Sequence, residues 1–159
     1  MTDNPLLHHH GLPRFDAVGP EHVEPGMTRL LAELETELSE LEAQVQPSWP
    51  GLVEPLERLQ DRLNLAWGTV NHLLGVRNSP ALRAAHEAVQ PAVVAFGIRL
   101  AQSRPLYEAF VRLREQGGLS PAQRRLVDTA IRDAELSGVG LQGEAQARFH
   151  AVQIGRAHV

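Results

Sequence analysis

Two long apolar stripes in succession restrict what this chain can fold into more than any other feature. Met27, Leu31, Leu34, Leu38, Leu41 and Val45 recur at alternating four- and three-residue intervals, which puts them on one face of a helix. Pro47, Pro50 and Gly51 break that pattern, and Leu52, Leu56, Leu59, Leu63, Trp67, Val70 and Leu74 rebuild it. Two such stripes joined by a short breaker bury one another by folding back, so a helical hairpin is expected, its first helix starting near Pro20.

The remainder is punctuated in the same way. Ser79 precedes Pro80, Ser103 precedes Arg104-Pro105, and Ser120 precedes Pro121. In each case a hydroxyl can accept from the orphan amides of a helix start, and the proline sits where no amide is needed. Three further helices are therefore expected. The third should kink at Pro91 and continue to about Ala101, the fourth close at Gly117-Gly118, and the fifth close at Gly138. Gly143 opens a short final helical stretch. No segment alternates with period two, so the expected fold is all-α, an array of long antiparallel helices.

The chemistry this chain can carry is narrowed by what it lacks. Its 159 residues include no cysteine, which removes disulfides, thiolate metal sites and a cysteine nucleophile. A net charge of -4 gives no positive field for a nucleic acid, and no apolar run is long enough to cross a membrane. No basic leader precedes a long apolar run, and the lack of cysteine fits a reducing cytoplasm, which is the expected location. Glu33, Glu35, Glu37, Glu40 and Glu42 form an acidic row opposite the first stripe, read as a solvated face, with a docking edge for a basic partner as the alternative.

Candidate sites come close to known patterns without completing them. His86-Glu87-Ala88-Val89-Gln90 begins like H-E-x-x-H, in which two histidines one turn apart hold zinc and the glutamate activates water. Gln90 stands where the second histidine belongs, so His86 and Glu87 are read as surface residues. His8, His9 and His10 are adjacent and cannot converge from an extended strand, while His22, His72 and His150 lie on different helices. Gly138-Val139-Gly140 follows a helix and not a strand, which fits a helix cap and turn better than a phosphate loop. Trp49 and Trp67 are read as packing anchors. The expected catalytic, cofactor-binding and metal-binding residues are none.

Taken together, NPLL, LPRFDAV, PEHVEP, VNHLLGVRNSPALRAAHEAVQP and LSPAQRRLVDTAIRDAELSGVGL resemble, in order and spacing, the N-terminal region of the oligopeptidase A branch of the thimet oligopeptidase family of zinc metallopeptidases. The resemblance spans residues 4–153. It implies a largely helical, cytoplasmic endopeptidase that cleaves short peptides in a channel between two helical domains, residues 20–153 forming one wall. It also implies zinc in the parent enzyme, bound by an H-E-x-x-H helix and a glutamate far downstream, with no matching position in this chain. The missing C-terminal catalytic region would be its packing partner.

Residues 1–19 are then an extended lead-in. Residues 154–159, IGRAHV, resemble a translated sequencing adapter and are expected to be a non-native tail, with Gly155 breaking the helical pattern. The fragment is expected to be inactive and, with helix faces left uncovered, marginally stable or oligomeric. Two alternatives are a stand-alone helical interaction module and a coiled-coil homodimer through the 27–45 stripe.

Overall fold

A computed structural model describes residues 4–8, 11–141 and 143–156. Six helices follow a single turn of 3-10 helix at Pro5–Leu7: α1 (Pro20–Gln44), α2 (Glu54–Val76), α3 (Pro80–Ala101), α4 (Arg104–Gln116), α5 (Pro121–Leu136) and α6 (Gly143–Arg156). A π-helical turn at Trp49–Val53 leads straight into α2. Among the described residues there is no strand, and the fold is all-α.

Serine caps set the register of the helix starts. The hydroxyl of Ser48 accepts from the Gly51 amide at 3.1 Å, and that of Ser79 from the Leu82 amide at 3.1 Å. Ser120 and Gln123 cap reciprocally, at 3.2 and 2.9 Å. α1 has no hydroxyl at this place. Instead His22 reaches back, its Nδ1 accepting from the Gly19 amide at 2.9 Å.

α3 runs without a break through Pro91 to Ala101. The carbonyl one turn earlier, on exposed Glu87, loses its amide donor there, and solvent can replace it. α6 likewise continues through Gly155 to Arg156, since a glycine weakens a helix without blocking it.

Side-chain pairs give the helix directions. Arg62 of α2 reaches Glu33 and Glu37 of α1, while Arg77 at the end of α2 meets the carbonyl of Phe15, just before α1 begins. α2 is thus antiparallel to α1. His86, early in α3, meets Asn71, late in α2, so α3 turns back again and runs parallel to α1, against which it packs most extensively. α1 lies between its two neighbours.

This central position explains a shift in the buried stripe. Val23, Met27, Leu30, Leu34 and Leu38 have no exposed surface, whereas Leu31, Leu41 and Val45 are only partly covered. A helix covered on two sides buries a wider arc than a hairpin seam does, which brings in Val23 and Leu30.

Among its described residues the lead-in lies against the helices and includes the 3-10 turn at Pro5–Leu7. Asn4 accepts from the Leu6 amide at 3.0 Å and donates to the carbonyl of His22 at 2.8 Å, and Leu6 and Val18 are buried. Gly26 makes room for it: a Cβ there would stand 2.7 Å from the Asn4 amide nitrogen.

Candidate functional site

The acidic row of α1 faces other helices as well as solvent. Arg62 of α2 bridges Glu33, at 2.7 Å, and Glu37. Arg99 of α3 bridges Glu35, at 3.3 Å, and Glu42. Two arginines from flanking helices therefore brace four of the five glutamates, which remain partly solvated apart from the mostly covered Glu42. Sequence reasoning missed both arginines as partners, because one helix's pattern does not say which face of its neighbour it meets.

Glu42 is the tightest of these contacts, its side chain 15% exposed. It accepts from both terminal nitrogens of Arg99 and from the hydroxyl of Ser103, itself 3% exposed. The Ser103 hydroxyl also accepts weakly from the Leu106 amide, at 3.5 Å, so the α4 cap is tied to the ends of α1 and α3. Hydrogen bonds from Arg99 hold the Glu42 carboxyl below the ordinary carboxylate range, against the opposing effect of burial. Arg99 is correspondingly held more strongly protonated.

Beside this knot opens a cleft of about 450 Å³. Its apolar floor comes from Leu56 and Leu63 of α2, Leu100 of α3, and Leu106 and Phe110 of α4. Gln60 and Asn64 stand on the α2 side, and Asp133 and Ser137 on the α5 side. Small residues hold it open, since Gly97, Ala101, Ala130 and Ala134 line it where larger side chains would fill the space. The arrangement can enclose an apolar group and hydrogen-bond its polar flank.

The described histidines do not assemble there. His86 stacks on Trp67 with ring centroids 4.5 Å apart, and its Nε2 lies 3.0 Å from the Asn71 side-chain oxygen. It is half-buried where a surface position was expected, because α3 folds back onto the end of α2; Glu87 is exposed. Burial pushes the His86 imidazole below its ordinary value. His72 packs against Phe15, at 5.0 Å, and His22 caps α1. His9 and His10, and the side chain of His150, lie outside the described residues.

A zinc ion does not fit the His86 segment: Gln90 replaces the second ligand, and His86 is already committed to Trp67 and Asn71. Among the described residues no group of three or more His, Asp or Glu is placed to hold a metal. No helix among them is long and apolar enough to cross a membrane.

The glycines after α5 form a helix terminator. Gly138 has φ +81°, its amide donates to the carbonyl of Glu135, and the Val139 amide donates to that of Ala134, the paired bonds of a Schellman cap. Trp49 and Trp67 both pack against the core.

Comparison with known proteins places this architecture. The family described as neurolysin/thimet oligopeptidase, N-terminal domain, matches residues 27–146. A probable cytosolic oligopeptidase A of Arabidopsis thaliana is 47% identical over 156 residues, covering 96% of this chain and 22% of the relative. An organellar oligopeptidase A, chloroplastic/mitochondrial, of the same plant is also 47% identical over 156 residues, with 96% and 20% covered. Oligopeptidase A of Escherichia coli (strain K12) is 39% identical over 150 residues, with 92% and 22% covered. The chain thus spans about a fifth of the length of these relatives. By the match over most of its length, the chain belongs to the neurolysin/thimet oligopeptidase family, and its helices correspond to that family's N-terminal domain.

Proposed function

We propose that residues 20–153 form the N-terminal helical region of a zinc-dependent metalloendopeptidase of the oligopeptidase A type, acting on short peptides in the cytoplasm. The observation that carries this is the continuous match of nearly the whole chain to one part of much longer oligopeptidases. In this reading the helices supply one wall of a peptide channel, and the catalytic region of the parent is their packing partner. Zinc would supply metal-activated water for attack on the peptide carbonyl. The ligand chemistry around His86 does not fit it, so this region contributes shape and support and no catalytic group. Residues 1–19 serve as the lead-in, and residues 154–159 are read as a non-native tail.

The test is to extend the reading frame beyond Gln153 in the source DNA, express the whole protein, and assay cleavage of a quenched fluorescent peptide. The whole protein is expected to cleave it, to lose activity to a chelator and to regain it with zinc. The 159-residue chain alone is expected to be inactive. Zinc-dependent cleavage by the short chain, abolished by His86→Ala, would overturn the assignment of chemistry to the rest of the parent. A genomic stop directly after Val159 would overturn the fragment reading.

A further inference from the structure

α5 is lightly built into the molecule. Its extensive packing is on α4 alone, and of its 16 residues only Val127 and Ile131 are buried. At its N-terminal end it joins α4 through Gly117 and Gly118, both at φ +73°. A Cβ at either glycine would meet nothing within 4 Å, so these two positions carry backbone freedom, while Leu119 beside them packs against the core.

Its C-terminal end is held by two side chains. Gln102, at the end of α3, donates from Nε2 to the Ser137 carbonyl at 2.8 Å. Tyr107 of α4 donates its hydroxyl proton to Glu135 at 2.9 Å. Between these ends, Ala130 and Ala134 face the cleft. One helix thus combines a glycine hinge, a polar clasp, few buried side chains and a cavity beneath it.

We propose that α5 is a lid over the cleft, hinged at Gly117-Gly118 and clasped by Gln102 and Tyr107. Opening uncovers Val127, Ile131 and the facing side of α4, while the α1–α3 core stays folded. The inference stands independently of the peptidase reading.

Hydrogen exchange read by mass spectrometry on the 159-residue chain tests it. In the wild type, α5 amides are expected to exchange at least about tenfold faster than those of α1. In Gln102→Ala/Tyr107→Phe they should exchange about tenfold faster again, with α1 to α3 unchanged. Since the chain has no cysteine, spin labels at Gln60→Cys and Asp133→Cys report the cleft width without interference. Loss of the clasp should add a longer, broader distance population. The lid is overturned if α5 exchanges together with α1 in the wild type, if losing the clasp accelerates all helices equally, or if the distance distribution does not change.

Discussion

Glu42 shows how a residue in a seemingly solvated row can hold a fold together. Its folded-state pKa is depressed, chiefly by Arg99, so its contribution is fully present above the unfolded carboxylate value and is lost as pH falls through the folded one. Replacing it with Gln keeps the volume and removes the charge, which should cost about 1–3 kcal/mol near neutral pH. Urea denaturation from pH 7 down to about pH 3 should show the wild type losing more stability than Glu42→Gln. Equal losses would mean that Glu42 is not the acid-sensitive contact. His86 gives a second test at this scale. Trp67→Ala removes the ring that buries it, so the His86 pKa should rise toward its ordinary value in an NMR titration. An unchanged or lower value would show that the Trp67 stack is not the cause of the depression.

Helix ends decide the length and placement of the elements, and most are legible as serine-proline and glycine signals. Gly138 tests one. A side chain there would have to adopt φ +81°, and its Cβ would stand 2.6 Å from the Leu141 Cδ1. Gly138→Ala should therefore destabilise by about 1–2 kcal/mol, measured by thermal or urea melting. Gly26 obeys different logic, having a negative φ inside α1 and Asn4 against it. In an Asn4→Ala background, Gly26→Ala should be stabilising by about 0.5–1 kcal/mol through helix propensity, and less favourable with Asn4 present. Equal effects in both backgrounds would mean that Asn4 does not set the need for glycine. α1's start carries a weaker sequence signal, because a histidine reaching back to Gly19 is not a usual capping pattern.

At the scale of the molecule, α3 departs most from an ordinary surface helix. Ala81, Ala84, Ala88, Ala92 and Ala95 recur at three- and four-residue intervals and are all exposed. Leu136 and Val152 also stand in solvent, at 72% and 59% exposure. Apolar surface of this kind favours association, so sedimentation of the isolated chain should depend on concentration. A species that stays monomeric at all concentrations, with a sharp cooperative melt, would refute the expectation of a marginal or self-associating chain.

Helical periods and caps are local properties, and the amino-acid sequence determined them here: the all-α class, the breaks at Pro47–Gly51 and before Pro80, and the glycine that ends α5. Leu34 and Leu38 were recognisable as core for the same reason, since a 3.6-residue repeat puts them on a common face whatever lies opposite. The tertiary structure alone decided that α3 runs parallel to α1, that Arg62 and Arg99 meet the acidic row, and that His86 stacks on Trp67. It also decided the cleft, which exists because small residues from separate helices face one another. A helix's own pattern fixes which of its faces is apolar, but the partner of that face depends on packing between residues far apart in the chain.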